Sequence, residues 1–372
     1  MTGKRVVVGL SGGVDSSVAA ALLVEQGYEV DGVYLECYNE PGCRTDQDKA
    51  DALKVAIKLG IKFEVLDFRK EYKEKVIEYF YREYEAGRTP NPDIMCNREI
   101  KFGIFYDWSM AQGYDYVATG HYCRILQGTE PCNWLQRARD ESKDQSYFLW
   151  QIPQDHLSHI LFPLGNMLKS EVRAKAKELD LHIAGKPDSM GICFIGEVDV
   201  SKMLKERLGE KPGEVVMKII NTKSEIRNKS EIRNSNFEIR ASNLKDDYVV
   251  VGRHRGLWFY TIGSRGGWEM EAKYQKSNME PLYVIGKDKD KNQLIVGSRE
   301  ETMKQEIRIE KSEIRKEGKL WVRIRNLGEL VAVTKCHGDT VTLSKPIFGV
   351  AEGQSAVFYD NEGVLVGGGI IV

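Results

Sequence analysis

A glycine-rich run near the N-terminus, Ser11-Gly-Gly-Val-Asp-Ser-Ser17, has residue types that can bind phosphate. Glycines let the backbone approach an anion closely, and the first free N–H groups of a following helix point at it. Ser11, Ser16 and Ser17 add hydroxyl donors, and Asp15 could orient a hydrated Mg²⁺ against phosphate oxygens. The run lacks the lysine of an ordinary P-loop. It predicts nucleotide binding, and a tight strand-to-helix turn capped by Asp15 or Ser16 is the alternative.

A second segment, Thr89-Pro-Asn-Pro-Asp-Ile-Met-Cys96, brings a carboxylate and a thiol together. Its two prolines stiffen the approach to Asp93 and Cys96, which lie three residues apart and would share one face of a helix beginning here. A thiol near a helix N-terminus has a lowered pKa, and Asp93 could hold or move a proton. The residues leave open a structural alternative, in which Asp93 caps the helix and Cys96 is a buried packing residue.

A third segment, Lys186-Pro-Asp-Ser-Met-Gly-Ile-Cys-Phe-Ile-Gly196, holds a cysteine between two glycines and has no regular periodicity. Cys193 in such a loop could be mobile and exposed, as a sulfur carrier must be, although an ordinary buried cysteine is the alternative. A polar run over Asp140–Phe148 predicts a helix start. Lys143 and Gln145 in that run could contact phosphates or bases, or could cap the helix.

Alternating strand and helix patterns would position these segments. Strand patterns occupy Arg5–Leu10, Tyr28–Glu36, Phe63–Phe68 and Asp115–Gly120, and helix patterns occupy Val18–Val24, Asp46–Leu59 and Glu71–Glu85. This alternation predicts a mostly parallel sheet with helices on both faces. Ligands of such sheets bind at the carboxyl ends of the strands, so the Ser11–Ser17 loop, Leu35 and Gly120 should lie along that edge.

The composition bounds the class of protein. The chain has 372 residues, with 54 Lys and Arg against 55 Asp and Glu, so any nucleic-acid surface must be a local patch. No apolar run reaches the ~18 residues of a membrane span, and the N-terminus lacks the shape of a signal peptide. The seven cysteines include no C-x-x-C pair, which argues against a zinc ribbon or a disulfide framework. We therefore expect a cytoplasmic protein with reduced thiols and no membrane partner.

The second half of the chain has a different pattern. From Lys211 onward, short strands separated by Gly, Asp and Asn replace the long helical patterns. Residues 282–297 and 320–372 are typical of hairpins, which predicts a small β-barrel at the C-terminus.

The motifs together resemble a known family. SGGVDSS, TPNPDIMCNREIKFG, ATGHY, KDQSYFL, DSMGICFIGE, GLWFYTIGSRGG and EGQSAVFY occur in this order along the chain. In this combination the sequence closely resembles the bacterial tRNA-specific 2-thiouridylase family (MnmA/TrmU type) from about Val6 to Gly369, with residues 221–247 unmatched. The glycine-rich loop is shared by several ATP-pyrophosphatase families, whereas the two cysteine motifs are far more specific.

The resemblance implies a three-part α/β architecture. Residues 1–206 would form an ATP-pyrophosphatase (PP-loop) catalytic domain with a doubly wound parallel sheet. Residues 207–280 would form a small central domain that contains the 221–247 insertion. Residues 281–372 would form a C-terminal β-barrel that contacts tRNA.

The resemblance also implies roles for individual residues. Cys96 would be the nucleophile partner, Cys193 would carry the incoming sulfur as a persulfide, and Asp93 would move a proton. ATP would be bound by Gly9, Leu10, Ser11, Gly12, Gly13, Val14, Asp15, Ser16, Leu35 and Gly120. The tRNA would be contacted by Asn91, Pro92, Asp93, His121, Lys143, Asp144, Gln145, Arg325, Asn326 and Gln354.

The implied reaction has two steps. ATP, with Mg²⁺, adenylates the C2 oxygen of the wobble uridine at tRNA position 34, and a persulfide on Cys193 then delivers sulfur to C2 as AMP leaves. Cys96 attacks the persulfide, which frees sulfide or leaves a Cys96–Cys193 disulfide. The sulfur donor would be a cysteine desulfurase or a relay protein.

Two other functions stay open. Another ATP-pyrophosphatase ligase, one that adenylates a small metabolite, would use the same loop but would not need the two cysteines. A non-catalytic tRNA-binding protein would leave the loop and both cysteines without a role.

A short repeat interrupts the middle of the chain. Lys-Ser-Glu-Ile-Arg occurs at 223–227, 229–233 and 311–315, and Phe-Glu-Ile-Arg occurs at 237–240. A six-residue period is too short for a solenoid unit. The alternative is a basic arm that contacts nucleic acid, but each Arg is accompanied by a Glu that offsets its charge. We interpret residues 221–247 as a polar insertion in a surface loop.

Deletion of residues 223–240 should leave folding and activity nearly unchanged, because a longer surface loop adds little closure entropy. Thermal unfolding and tRNA thiolation assays of the deletion variant would check this expectation. A loss of tRNA affinity would instead show that the repeat is functional.

Overall fold

The computed structural model describes residues 3–39, 45–128, 133–188, 191, 193–195, 199–218, 244–245, 248–274, 280–316 and 318–372. The predicted 221–247 insertion lies outside the described residues, apart from Leu244–Lys245. The third copy of the repeat, at 311–315, falls on a strand of the C-terminal barrel described below.

The N-terminal part of the chain contains seven strands within the described residues, five of them in one parallel sheet. The strands are β1 (Arg5–Gly9), β2 (Glu29–Glu36), β3 (Lys62–Asp67), β4 (Tyr116–Ala118), β5 (Cys123–Leu126), β6 (Trp134–Arg137) and β7 (Ile160–Leu161). The sheet order is β3-β2-β1-β4-β7, and β5 pairs with β6 in a separate hairpin. Val7 is buried in one hydrophobic cluster, and Val6 and Val8 are buried in another, so both faces of β1 are covered.

Helices cover this sheet. They are α1 (Val14–Glu25), α2 (Thr45–Leu59), α3 (Arg69–Tyr72), α4 (Glu78–Glu85), α5 (Pro92–Cys96), α6 (Phe105–Ala111), α7 (Lys169–Glu178) and α8 (Val200–Leu208). Two π-helical segments, Lys73–Ile77 and Asn97–Ile104, join α3 to α4 and α5 to α6. The predicted parallel sheet with helices on both faces is confirmed. The helix start predicted over Asp140–Phe148 is wrong, since this run forms turns and a 3₁₀ helix at Ser146–Leu149.

A second sheet follows in the chain. Its strands are β8 (Gly213–Lys218), β9 (Leu244–Lys245), β10 (Tyr248–His254), β11 (Glu269–Met270), β12 (Tyr283–Asp288) and β13 (Gln293–Gly297). The order is β11-β10-β8-β13-β12, with β9 also paired to β10. The hairpin that we assigned to the C-terminal barrel therefore belongs to this central sheet, because β13 pairs in parallel with β8. The pairing moves the start of the barrel from 281 to beyond Gly297.

A closed barrel ends the chain. Its strands are β14 (Met303–Ile314), β15 (Trp321–Arg323), β16 (Val331–His337), β17 (Thr340–Phe348), β18 (Ser355–Tyr359) and β19 (Leu365–Ile371), in the order β14-β17-β16-β15-β18-β19. The predicted C-terminal barrel is thus confirmed, with the smaller extent given above. Closure pairs every strand on both sides and leaves no open edge.

The barrel shares a hydrophobic core with the first domain. Val357, Tyr359 and Leu365 of the barrel lie in the same buried cluster as Tyr147 and Trp150. The Tyr147 hydroxyl donates to the Ser355 carbonyl at 3.0 Å, and the Trp150 indole N–H donates to the Ser355 hydroxyl at 3.0 Å. These buried polar groups are therefore satisfied across the junction, which holds the two parts together. No helix within the described residues is long and apolar enough to cross a membrane.

Candidate active site

The glycine-rich loop joins the end of β1 to the start of α1 without a side-chain cap. The N-cap residue of α1 is Gly13, and the Ser16 and Ser17 hydroxyls donate to its carbonyl at 3.3 and 2.7 Å. The Ser11 N–H donates to the Ser16 hydroxyl at 3.1 Å. The alternative of a turn capped by Asp15 or Ser16 is therefore wrong. An uncapped helix N-terminus can bind an anion, as the phosphate prediction requires.

Two glycines make this loop compact. A Cβ at Gly12, whose φ is +70°, would lie 2.1 Å from the Asp48 carbonyl oxygen, and a Cβ at Gly120 would lie 2.6 Å from the Ser16 nitrogen. Leu35, at the end of β2, is only 5% exposed. The ends of β1, β2 and β4, which carry the glycine-rich loop, Leu35 and Gly120, thus lie at one edge of the sheet. Because the Leu35 side chain is buried, Leu35 could contact a nucleotide there through its backbone more readily than through its side chain.

Charged side chains surround the loop. Asp15 accepts from the Lys169 ammonium at 2.7 Å and from the Tyr122 hydroxyl at 2.9 Å. Lys169 also pairs with Asp188 at 2.8 Å, and Lys143 pairs with Asp188 at 2.7 Å. Although burial opposes it, hydrogen bonds from Lys143 and Lys169 hold the pKa of Asp188 well below its usual range. Lys143, predicted as a tRNA contact, is therefore linked to Asp15 through Asp188 and Lys169.

The Asp15 carboxylate is the kind of oxygen donor that Mg²⁺ prefers. It lies in the first turn of α1, directly after the glycines, so its position fits the predicted role toward a nucleotide-bound Mg²⁺. Lys169 occupies both of its oxygens in this structure, at 2.7 and 2.8 Å, and would have to give up at least one of them.

The first cysteine lies at the end of a short capped helix. The Asn91 side chain accepts from the Ile94 N–H at 3.2 Å, and Pro92 begins α5, where a missing N–H carries no penalty. Cys96 ends α5 and is wholly buried. The alternative in which Asp93 caps the helix is wrong, because Asn91 is the cap and the Asp93 carboxylate accepts from the Cys193 N–H at 3.0 Å.

The second cysteine meets the first. The Cys96 thiol donates to the Cys193 sulfur across 3.6 Å, which is too long for the ~2.05 Å of a disulfide bond but close to the ~3–3.5 Å between atoms poised to react. The Tyr72 hydroxyl donates to the Cys193 carbonyl at 2.6 Å, so both backbone groups of Cys193 are held. Phe194 has a φ of +65° and packs its ring edge-on against Tyr72, with the ring centroids 5.9 Å apart. Such strain at a non-glycine residue is typical of functional sites.

The two thiols differ in acidity. The hydrogen bond from Cys96 and the nearby charge of Lys101 outweigh burial and lower the pKa of Cys193 to about 7. Burial, and then the negative charge of Cys193, raises the pKa of Cys96 well above its usual value. Burial also raises the pKa of Asp93. At neutral pH the pair therefore holds a nucleophilic sulfur on Cys193 and a proton on Cys96.

The structure places the other predicted tRNA contacts in different surroundings. Gln354 donates to the Thr89 carbonyl at 2.9 Å and so joins the barrel to the cysteine-bearing segment. Arg325 is exposed, and its guanidinium donates to the Phe348 and Gly349 carbonyls at 2.9 Å. Asn326 beside it is partly buried.

Two of the residues predicted to contact tRNA are buried in the conformation described. Asp144 is wholly buried and accepts from the Arg323 guanidinium at 2.8 Å, so its carboxylate joins the first domain to the barrel. His121 is 7% exposed, hydrogen-bonds to Thr119 at 2.7 Å, and has its pKa well below the usual value because of burial. Neither side chain faces solvent, where a tRNA would bind. Gln145, the third residue of this group, accepts from the Tyr122 N–H at 2.9 Å and is partly exposed.

Sequence reasoning missed Lys101 and Tyr72. Lys101 lies five residues after Cys96, a spacing that ordinary helical periodicity places on another face, so the pattern gave no signal for it. Tyr72 lies in a charged helix pattern, and the residue that it contacts, Cys193, is 121 residues away in sequence.

The comparisons with known proteins agree with this architecture. The chain matches three family models, described as tRNA methyl transferase HUP domain over residues 4–197, tRNA methyl transferase PRC-barrel domain over 240–298, and Aminomethyltransferase beta-barrel domain over 299–371. The boundary at 298/299 follows directly after β13, the last strand of the central sheet. A HUP domain followed by a PRC-barrel domain and a β-barrel domain is the class that these matches define.

The relatives specify the family. A tRNA-specific 2-thiouridylase MnmA of Flavobacterium johnsoniae is 40% identical over 402 residues, which cover 99% of this chain and 100% of the relative. The protein of the same name from Lactococcus lactis subsp. cremoris is 38% identical over 391 residues, covering 99% and 96%. The chain belongs to the tRNA-specific 2-thiouridylase family. A solved 4-thiouridine synthetase–RNA complex with bound ATP is 20% identical and covers 55% of this chain and 49% of its own, with a TM-score of 0.36.

Proposed function

We propose that this enzyme catalyses the ATP-dependent 2-thiolation of the wobble uridine of tRNA, through adenylation of the C2 oxygen and sulfur transfer from a persulfide on Cys193. The observation that carries the proposal is the Cys96–Cys193 pair, with 3.6 Å between the sulfurs and the proton held on one of them. Family membership supports tRNA uridine as the substrate.

The first step uses the glycine-rich loop. The N–H groups at the start of α1 would hold the phosphates of ATP, together with the Ser11 hydroxyl once it leaves its 3.1 Å hydrogen bond with the Ser16 hydroxyl. Lys169 lies beside them through its ion pair with Asp15, and Asp188 links Lys143 to Lys169. Asp15 would hold a Mg²⁺ that neutralises part of the phosphate charge. A carbonyl oxygen is a poor leaving group, and attack of the uridine C2 oxygen on the α-phosphate, with loss of pyrophosphate, makes it a good one.

The second step uses the thiol pair. The Cys193 thiolate attacks the terminal sulfur of a donor persulfide, forms a new S–S bond and expels the donor thiolate. The outer sulfur of the Cys193 persulfide then attacks C2 of the adenylated uridine. Cys96 attacks the inner sulfur, which breaks the persulfide bond. Sulfur stays on C2, AMP leaves, and a Cys96–Cys193 disulfide remains for a thiol reductant to reopen.

The base must leave the anticodon stack to reach these thiols, since both are at least partly buried. Residues Asn91, Pro92 and Asp93 form the N-terminal end of α5 and lie beside the thiol pair, where they could meet the extruded base. A loop nucleotide is only weakly held by stacking, so its extrusion is inexpensive. Arg325 and Gln354 would contact the tRNA from the barrel.

Mass spectrometry of nucleosides tests this function. An unmodified tRNA pool treated with the enzyme, ATP, Mg²⁺, a persulfide donor such as glutathione persulfide and a thiol reductant should yield a uridine that has gained sulfur in place of oxygen at position 34. Omission of ATP should abolish the product. AMP formation that needs an amine but no tRNA would favour the small-metabolite ligase, and tRNA binding without any thiolated nucleoside would favour the non-catalytic protein.

A further inference from the structure

A partly buried cation lies near the thiol pair. The Lys101 ammonium lies 5.6 Å from the centroid of the ring of Phe194, the residue that follows Cys193. After the hydrogen bond from Cys96 and against the effect of burial, the positive charge of Lys101 lowers the pKa of Cys193. Although burial opposes it, the negative charges of Cys193, Cys96 and Asp93 in turn raise the pKa of Lys101. A lysine is rarely buried unless it is paired, so this position calls for an explanation.

The π-helical segment explains how Lys101 reaches the thiols. In an α-helix, five residues correspond to a rotation of about 140° beyond one full turn, so Lys101 would point away from Cys96. Residues Asn97–Ile104 instead form a π-helix, in which hydrogen bonds span five residues and residue i+5 lies nearly above residue i. The Phe105 N–H, for example, donates to the Ile100 carbonyl. The irregular helix therefore turns Lys101 to the face of Cys96.

The groups that face Cys193 come from four parts of the fold. They are the thiols of Cys96 and Cys37, the phenol of Tyr72, the carboxylate of Asp93 and the ammonium of Lys101. Asp67 and Glu71 add negative charge on the side of Cys37. Lys101 is the cation in this set, and the other charged members would repel an anionic sulfur.

We propose that Lys101 is a catalytic residue whose ammonium holds the Cys193 sulfur as an anion, first as the thiolate that accepts sulfur and then as the persulfide that delivers it. This inference rests on the proposed function. The step that Lys101 affects most directly is the loading of sulfur onto Cys193. In this step the Cys193 thiolate attacks the outer sulfur of a donor persulfide. One S–S bond forms, another breaks, and the donor leaves as a thiolate. Lys101 keeps its proton throughout, because the nearby sulfur anions outweigh burial and raise its pKa.

The test measures the ionisation of Cys193 without tRNA or ATP. The rate of iodoacetamide alkylation of the Cys193 peptide, followed by mass spectrometry from pH 5 to pH 10 in the full chain, reports the thiolate fraction. The wild-type midpoint should lie at about 7. Lys101→Met should raise it by at least about one unit, which lowers the thiolate fraction at pH 7 by about fivefold or more. Lys101→Arg keeps the positive charge, so its midpoint should stay close to the wild-type value.

A matched control is Lys75→Met. Lys75 pairs at 2.8 Å with Glu99, which lies two residues before Lys101 in the sequence. The Lys75 side chain is on the exposed surface, so its replacement should leave the midpoint of Cys193 unchanged. Loading with glutathione persulfide gives a second readout. In Lys101→Met, loading should fall about fivefold or more at pH 7 and recover at pH 9, whereas mere disruption of packing would lower loading at both pH values.

Three outcomes would overturn the inference: a Lys101→Met midpoint that stays at the wild-type value, a Lys101→Arg midpoint that shifts as far as that of Lys101→Met, or loading that is lost equally at pH 7 and pH 9. If Lys101→Met fails to fold by circular dichroism, Lys101→Gln takes its place in the same titration. Failure of the proposed function looks different, since the wild-type enzyme would then show the expected midpoint but would make no thiouridine.

Discussion

Replacing Cys193 by serine is expected to abolish thiolation, by about 10³-fold or more, while ATP binding stays at the wild-type level. A serine hydroxyl cannot carry sulfur as a persulfide, and Cys193 lies in a loop separate from the glycine-rich ATP loop. Cys96→Ser should have an equally large effect on product formation, because serine cannot attack the persulfide and release its sulfur.

The two variants should differ in where the reaction stops. Cys96→Ser should still accept radiolabelled sulfur on Cys193, whereas Cys193→Ser should accept none. Cys336→Ser, which changes an exposed thiol in the barrel, is the control and should retain full activity. Product analysis by mass spectrometry and ATP binding by calorimetry measure both effects. Normal thiouridine formation by either active-site variant would contradict the proposed function.

Gly12→Ala is expected to reduce ATP affinity by about 100-fold or more. The added Cβ would lie 2.1 Å from the Asp48 carbonyl oxygen, and the backbone φ of +70° is strained for alanine. The loop must therefore move away from α2 by the order of an ångström, and displacements of that size can lower reactivity about 100-fold. Calorimetric titration with ATP gives the affinity, and thermal unfolding gives the accompanying loss of stability.

Gly60→Ala separates the effect of backbone strain from the effect of a steric clash of the added Cβ. Gly60 has a similar φ of +66°, but a Cβ there would have nothing within 4 Å. This variant should lose only the ~1–2 kcal/mol that a left-handed conformation costs a non-glycine residue, and it should bind ATP normally. If Gly12→Ala bound ATP as well as Gly60→Ala does, the compact loop would not be the phosphate site.

The parts of the fold that local patterns determine could be predicted from the sequence. The run of valines in β1, the glycines after it and the alanine-rich α1 each follow from neighbouring residues, so the turn between β1 and α1 was placed correctly. The C-terminal barrel was predicted for the same reason. The hairpin at 283–297 was assigned to the wrong sheet, because its partner β8 lies about 80 residues away and no local signal specifies a parallel pairing at that distance.

The candidate site was predicted less completely, because its contacts are also distant in sequence. The carboxylate of Asp93 has its partner 100 residues away at Cys193, so spacing alone could not separate a helix cap from a site residue. The burial of Asp144 depends on Arg323 in the barrel, 179 residues later. Lys101 escaped notice because a π-helical segment is not readable from ordinary periodicity.

The junction between the barrel and the first domain has an evolutionary consequence. Along the sequence the chain divides into three modules, yet Tyr359 and Leu365 of the last module complete a core that also contains Cys96. The buried Asp144–Arg323 pair crosses the same boundary, and loss of Asp144 would leave the buried Arg323 guanidinium without this carboxylate. A foreign barrel could therefore replace this one only if residues on both sides changed together. Inheritance of the last module is thereby tied to inheritance of the helix that bears Cys96.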